Sequence, residues 1–416
     1  MPRLTPRGRL VAWLAIGYSV SAWVTGASIL LVVGAIGTGL LLSCYGYSLL
    51  MTRGISGTRR FVTPAYEGES LRVEHTIRND SSLTKGHFHL VDGFWTARTR
   101  TPSLVCVGID ALRPGQPATL EHTVRCFKRG EYRIPPAMAM VEDPLGLWCH
   151  RCTLQPTDDP LLVYPELLDI SDFPVLASGA DFSLGLETSR VSGDHQEFFG
   201  VREYRPGDSP RRIHWLSTVR QQRLITKEFE RGVSSNVTIL LDLHREHDLG
   251  HGRHSTLEYS VLIAAALARY LLDRGEGVQL IGYGDRLVHI PLSRGVTQWY
   301  RVLEQLALVR ANGDVGLTDA AGEYEMAIAP DSVVVTFLLD REERDAVALT
   351  NLCAKGARLF AFVFRSSSFL PLELPSRWAT RMVRAEVVLE SVGAYVIPVE
   401  CRAPLQQLLQ DSLRNV

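Results

Sequence analysis

The chain of 416 residues lacks the short motifs by which many enzymes are recognised in sequence. It contains no G-x-x-x-x-G-K-[ST] phosphate-binding loop, no H-E-x-x-H metal-binding helix and no G-x-S-x-G nucleophile elbow. Ser217, Thr218 and His214 are close in sequence, but no elbow surrounds them. Gly282-Tyr283-Gly284 lacks the third glycine of a dinucleotide-binding fingerprint. We therefore expect a protein that is not an enzyme.

The sequence also lacks an excess of positive or negative charge, and it lacks the cysteine pattern of a disulfide framework. The net charge is −1, which gives no electrostatic bias toward nucleic acid. The seven cysteines are odd in number and scattered over a long chain, unlike the paired cysteines of small secreted domains. This usage favours a reducing compartment.

Charged residues and histidine are absent from Leu10 to Thr52. One helix of that length would measure about 64 Å, whereas the hydrocarbon core of a bilayer is about 30 Å thick. The sequence therefore predicts a transmembrane hairpin over residues 1–52, with its turn between Trp23 and Ser28. A cleaved signal peptide is the alternative, but its apolar region spans only about 7–15 residues.

Basic residues flank this apolar stretch on both sides. They are Arg3, Arg7 and Arg9 before it and Arg53, Arg59 and Arg60 after it. Under the positive-inside rule both flanks are cytoplasmic, which a hairpin satisfies and a single span does not. We expect all of the chain after Arg53 to lie in the cytoplasm.

Two soluble regions with different periodicity follow. Residues 53–165 alternate apolar and polar side chains, as in Ser70–Arg78, which predicts an all-β, sandwich-like module. Residues 236–416 alternate apolar strands with helices, which predicts an α/β domain with a mostly parallel sheet. Asp242 and Asp340 each follow an apolar strand, so both are expected at the carboxyl edge of that sheet, where ligands of such folds bind.

The connector between these regions, residues 166–235, carries a dense run of charges with fixed apolar positions. Arginine binds carboxylates bidentately, so we expect Arg–carboxylate pairs and Trp215 to lock the β module to the α/β domain. Residues 199–203 and 212–215 are predicted as strand ends. The characteristic residues are Glu197, Phe198, Arg202, Glu203, Tyr204, Pro206, Gly207, Asp208, Arg212, Ile213 and Trp215.

These residues form the pattern E-F-x-G-x-R-E-Y-x-P-G-D-x-x-R-x-I-H-W, which resembles the signature of the bacterial family known as domain of unknown function 58. His214 stands where that family often has Asp. A second match is Asp143-Pro144-Leu145-Gly146-Leu147-Trp148. The resemblance implies a bacterial inner-membrane protein with a C-terminal von Willebrand factor A-like domain. It also implies a scaffold or adaptor whose partner is a MoxR-type AAA+ ATPase, acting in protein assembly or maturation.

The von Willebrand resemblance further implies an adhesion-type Mg²⁺ site with the pattern D-x-S-x-S, a later Thr and a later Asp. The matching residues here are Asp242, His244, Glu246, Thr318 and Asp340. His and Glu replace the two serines, and imidazole is a poor ligand for Mg²⁺. We therefore expect no cofactor.

Two alternatives to the scaffold stay open at this stage. The His-rich loop 244–254 has ligand types suited to a transition metal, which would favour a metal-dependent hydrolase. A surface adhesion protein is the other alternative, and it requires the soluble regions to lie outside the membrane.

Overall fold

A computed structural model describes residues 2–94, 103–154, 159–170, 198–205, 213–229, 236–284, 287–328, 332–370 and 384–411. The chain forms a mixed α/β structure with several sheets. It divides into two compact units, residues 1–167 with 306–308, and residues 168–305 with 309–416. Each unit is described by itself.

The first unit begins with a short strand and two long helices. These elements are β1 (Pro2–Leu4), α1 (Pro6–Thr25) and α2 (Ser28–Thr52). Among the described helices, only α2 has the length and apolar composition of a membrane span. The two helices are separated by Gly26 and Ala27, inside the interval predicted for the turn, and Gly26 adopts a left-handed φ of 70°.

Ten further strands complete the first unit. They are β2 (Ile55–Phe61), β3 (Ala65–Tyr66), β4 (Ser70–Asn79), β5 (Phe88–Phe94), β6 (Ser103–Ile109), β7 (Ala118–Arg125), β8 (Gly130–Ile134), β9 (Met138–Glu142), β10 (Trp148–Thr153) and β11 (Asp159–Tyr164). They form three sheets, in the orders β1-β10-β9-β5-β6, β2-β4-β7 and β3-β11-β8. Side chains of β4, β5 and β9 share one core, which includes Ile77, Leu90 and Ala139.

The strands on either side of the helix pair place both of its ends at the packed sheets of the first unit. β1 precedes α1 and runs antiparallel to β10, with Pro2 opposite His150 and Leu4 opposite Trp148. β10 lies far beyond the end of α2 in sequence. After α2 the chain enters β2 in the neighbouring sheet, and Ile55 of β2 shares a core with Leu90 and Ala139 of the sheet that contains β1. The segment joining α1 to α2 is therefore at the far end of both helices.

A buried ionic cluster lies between the sheets of the first unit. The Asp92 carboxylate accepts hydrogen bonds from Arg59 at 2.6 Å and from His75 at 2.9 Å, and the His122 Nε2 atom is 3.8 Å away. The side chains of Arg59 and Asp92 are fully buried. Arg59, which the flanking pattern assigned to membrane topology, is thus an interior residue.

The second unit contains a connector segment and an α/β domain. Its strands are β12 (Phe198–Glu203), β13 (Ile225–Phe229), β14 (Asn236–Asp242), β15 (Gly250–His251), β16 (His254–Ser255), β17 (Gly277–Tyr283), β18 (Leu287–Ser293), β19 (Val333–Leu339), β20 (Arg358–Phe364) and β21 (Tyr395–Val399). Its helices are α3 (Trp215–Gln221), α4 (Thr256–Asp273), α5 (Val296–Leu308), α6 (Ala321–Ala327), α7 (Glu343–Ala354), α8 (Ser366–Phe369), α9 (Arg384–Ser391) and α10 (Leu405–Asp411).

The main sheet has the order β18-β17-β14-β19-β20-β21. All neighbours run parallel except β18, which is antiparallel to β17 at one edge. Every residue of β19 is buried, as expected for a strand covered on both faces. The strand order reverses direction between β14 and β19, so a crevice opens at their carboxyl ends.

Candidate functional site

Three ligand-type side chains converge at the carboxyl ends of β14 and β19. Asp242 ends β14, His247 lies in the following loop, and Asp345 lies in the first turn of α7. Their nearest donor atoms all lie within 4.8 Å of one another. His247 Nδ1 is 2.5 Å from Asp242 Oδ2, and His247 Nε2 is 3.6 Å from Glu342 Oε1. The site therefore sits where the strand order of the sheet reverses.

Thr318 contacts this cluster through Asp345. The backbone N–H and the hydroxyl of Thr318 both donate to Asp345 Oδ1, at 2.9 and 2.5 Å. The second oxygen, Asp345 Oδ2, is buried and finds no hydrogen-bond partner among the described residues. A buried, unsatisfied carboxylate oxygen is costly, so this atom is available for a proton or a cation.

Asp340 has a different environment from Asp242. Its Oδ1 atom accepts hydrogen bonds from the Ser366 backbone N–H at 3.2 Å and from the Ser366 hydroxyl at 2.5 Å. The residue is only 4% exposed. It thereby ties the end of β19 to the start of α8, and it is not a member of the converging group.

His244 and Glu246 are also outside the converging group. His244 Nδ1 accepts from the Glu246 backbone N–H at 3.3 Å, while the His244 N–H donates to Asp242 Oδ1 at 3.0 Å. The loop is held by backbone bonds between Gly313 and the residues Leu243 and Arg245. The Glu246 side chain is exposed. These contacts shape the loop and orient Asp242.

Of the five residues taken from the adhesion-type pattern, only Asp242 belongs to the converging group. Asp340 Oδ1 accepts a hydrogen bond from the Ser366 hydroxyl, and the Thr318 hydroxyl donates to Asp345. The three converging residues offer one imidazole and two carboxylates, a set that suits a transition metal better than Mg²⁺. Without an ion, the same geometry holds a proton between Asp242 and His247.

Asp345 is the residue of this site that sequence reasoning missed. It follows β19 by six positions and begins a helix with Glu343, where acidic residues are common because they favour the positive end of the helix dipole. Only the fold shows that its carboxylate turns toward β14. The available signal was weak, namely an acidic residue in the first turn of the helix that follows a strand whose end was already a candidate.

We predict a pH-dependent stability that depends on His247. Burial lowers the pKa of His247, but the hydrogen bond and charge of Asp242 and the charges of Glu342 and Asp345 outweigh it, so the pKa is raised above 6.5. A group whose pKa is raised by folding stabilises the folded state at pH values below its unfolded-state pKa. That stabilisation is lost as the pH rises through its folded-state pKa. The thermal midpoint of the second unit should therefore fall as pH rises above about 6.5.

The His247→Gln variant provides the check on this prediction. Its unfolding midpoint, measured with a chelator present so that no cation replaces the proton, should vary less with pH over the same range. His289→Gln is the control, because that imidazole contacts the Gln279 amide rather than a carboxylate. If the unfolding midpoint of His247→Gln varied with pH as strongly as that of the unmodified chain, His247 would not be the source of the pH dependence.

The signature residues are only partly within the described residues. Phe198, Arg202 and Glu203 lie in β12, which pairs antiparallel with β13. The Tyr204 N–H donates to the Leu224 carbonyl at 2.9 Å, and Ile213 forms an isolated bridge with Thr226. Outside the described residues are Glu197, Pro206, Gly207, Asp208 and Arg212.

Two expectations for the connector differ from the structure. The described residues 213–215 form no strand: Ile213 makes a single isolated bridge, and His214 caps a helix that begins at Trp215 by accepting the Ser217 N–H. Trp215 is 64% exposed, so within the described residues it is not a buried anchor. Glu203 lies 3.7 Å from Arg223, which follows α3.

Comparison with known proteins finds a family model and a distant relative that each match part of the chain. A family model described as "Protein of unknown function DUF58" matches residues 200–354. The chain is 25% identical over 196 residues to "Uncharacterized protein YeaD" of Bacillus subtilis (strain 168), a match covering 47% of this chain and 46% of that protein. The match thus spans about half the length of the relative.

The solved structures that match are remote. Proximal thread matrix protein 1 from the mussel byssus is 13% identical, with a TM-score of 0.32, covering 44% of this chain and 47% of its own. A β-glucosidase from Listeria innocua, in complex with gluconolactone, is 15% identical with a TM-score of 0.17, covering 26% and 16%. Neither similarity supports a functional conclusion. Residues 200–354 therefore match the family described as protein of unknown function DUF58, the family whose signature the connector resembles.

Proposed function

We propose that this protein is a membrane-anchored cytoplasmic scaffold that binds a MoxR-type AAA+ ATPase. The pairing of β1 with β10, together with the packing of β2 directly after α2, carries the proposal. These strands put both ends of the helix pair on one side, so two crossings by α1 and α2 would leave the remainder of the chain on that same side. Exposed Arg3, Arg7 and Arg9 at the start of α1 favour the cytoplasmic side, where a nucleotide-driven partner works.

The α/β domain is proposed to be von Willebrand factor A-like. Numbered within the main sheet, its strands have the order 3-2-1-4-5-6, which is that of a doubly wound Rossmann-type sheet. The loops at the carboxyl edge present exposed charges, including Glu246 and Asp314. We assign partner binding to this edge. Asp242 and Thr318 lie on these loops, whereas Asp340 acts as their internal support.

Co-purification of a MoxR-type ATPase with the full chain from membranes tests the proposal. Charge reversal at the partner-facing edge, in the double variant Glu246→Arg and Asp314→Arg, should lower the recovered ATPase by about tenfold or more, because like charges at an interface are strongly unfavourable. Both side chains are exposed, so the fold is expected to survive.

Asp273→Arg is the matched control. Asp273 ends α4, at the opposite edge of the sheet from the candidate site, and its side chain is 72% exposed. This variant should retain full recovery. Equal recovery from all three chains would refute binding at the carboxyl edge, and no ATPase recovered with the unmodified chain would refute the partnership itself.

A further inference from the structure

The turn between β9 and β10 is held in one shape by its own aspartate. The Asp143 carboxylate accepts hydrogen bonds from the backbone N–H groups of Leu145, at 3.0 Å, and Trp148, at 2.5 Å. Asp143 is 3% exposed, and Gly146 supplies a left-handed φ of 66°. The apolar tip, Pro144 and Leu145, is exposed, and Leu145 is 51% exposed.

This turn, Asp143–Trp148, is bonded directly to the start of α1. The Thr5 hydroxyl donates to the Gly146 carbonyl at 2.5 Å, and the Thr5 N–H donates to the Leu147 carbonyl at 3.0 Å. Gly8 lies so close to the Leu147 carbonyl that any side chain there would clash. The first turn of α1 and the Asp143–Trp148 turn therefore lie side by side, at the same height along the axis of α1.

The same turn is also bonded to α2. The Trp148 indole N–H donates to the Leu41 carbonyl at 2.9 Å, and its ring packs edge-on against Tyr45 with centroids 5.1 Å apart. An indole that combines an apolar body with one donor is typical of the boundary between a bilayer and water. Both helices thus meet the turn on one side of the unit.

The length of α1 sets the depth of the turn. α1 has 20 residues and is therefore about 30 Å long, close to the thickness of the hydrocarbon core. Thr5 precedes its first residue and Gly26 follows its last. If the helices cross a membrane, the Asp143–Trp148 turn lies at the hydrocarbon boundary of the leaflet from which both helices emerge.

We propose that the Asp143–Trp148 turn is a membrane-interface element, with Leu145 inserted among acyl chains. Exposed Arg3, Arg7 and Arg9 lie at the same level and would contact anionic headgroups. The β module is thereby held flat against the bilayer by three attachments, the two helices and the turn. This inference rests on the proposed membrane anchoring.

Photo-cross-linking in proteoliposomes of phosphatidylethanolamine and phosphatidylglycerol tests this contact. The photoreactive amino acid benzoylphenylalanine replaces Leu145 in the full chain, and lipid adducts on that peptide are quantified by mass spectrometry. The control replaces Phe127, which is 44% exposed and follows β7 at the end paired with Ser70. That end is separated from the α2 end of the sheet by the ten residues of β4, about 33 Å.

The expected result is a lipid adduct at position 145 several-fold more abundant than at position 127. Equal yields at the two positions, or an adduct at 145 with a second copy of the chain, would overturn the proposal. A carbonate wash separates this failure from failure of the anchor. A chain that stays in the vesicles but gives no lipid adduct at 145 refutes the interface element alone, whereas a chain released by carbonate refutes the anchoring and the interface element together.

Discussion

Replacing Asp92 by Ala should destabilise the first unit by about 3–5 kcal/mol, the loss typical of removing one partner of a buried ion pair. Arg59 and Asp92 are both fully buried, so the variant leaves a guanidinium group in the interior without its carboxylate. Arg59 would keep hydrogen bonds to the carbonyls of Ile134 and Pro135, but those do not neutralise its charge.

The neighbouring imidazoles cannot compensate for the lost carboxylate. Burial lowers the pKa of His122, and the charge of His75 lowers it further. Protonation of His122 would add a second positive charge to the cluster. Removal of Asp92 therefore takes away the carboxylate that Arg59, His75 and His122 share, and neither imidazole can replace its charge.

Thermal unfolding of the detergent-solubilised chain measures this effect, with limited proteolysis to identify the unit that opens. Asp110→Ala is the control, because Asp110 pairs with His87 at 3.3 Å on the surface and exposed pairs contribute little. Similar midpoints for Asp92→Ala and Asp110→Ala would mean that the cluster does not stabilise the unit.

Replacing Asp340 by Ala should lower the stability of the second unit by about 3 kcal/mol, since hydrogen bonds to a charged group contribute about 1.5–3 kcal/mol each. The variant leaves the N–H and hydroxyl of Ser366 without their acceptor in a buried site. Asp340→Asn keeps an acceptor oxygen at the same position and should lose about half as much.

Denaturant unfolding of the three chains gives the comparison, with Asp314→Ala as the control. Asp314 is 74% exposed and pairs with Arg245, so its removal should leave the midpoint unchanged. If Asp340→Ala unfolds like the unmodified chain, Asp340 is not the structural tie described above. The measured stability also matters for the binding experiment. An Asp340 variant that unfolds would fail to bind the ATPase even if Asp340 does not contact it.

Periodic segments were predictable from sequence because their signal is local. The alternation in Ser70–Arg78 corresponds to β4, Ser70–Asn79. The apolar runs before Asp242 and Asp340 correspond to β14 and β19, so the sequence also placed two carboxylates at one edge of the sheet. Burial on one face or both leaves a pattern in neighbouring residues, which a single sequence displays.

Contacts between distant segments were not predictable in the same way. His75, Asp92 and His122 lie on three strands, and each looks like an ordinary polar position in its own strand. Arg59 was interpreted as a topological flank because charge counts do not reveal burial. The strand β1 has three residues, too few to show a periodic pattern. Its partner β10 lies about 145 residues further along the chain, so the pairing left no local signal either. The position of Asp345 near Asp242 depends equally on how α7 packs against the sheet.

The pairing of β1 with β10 also constrains the order in which the molecule is made. Translation supplies Pro2–Leu4 first, yet their hydrogen-bonding partners, Trp148–His150, are synthesised only after both long helices have left the ribosome. β1 can therefore join the edge of the sheet only after the strands β5, β9 and β10 have been synthesised. A chain stalled before Trp148 would carry both long helices but no partner for β1.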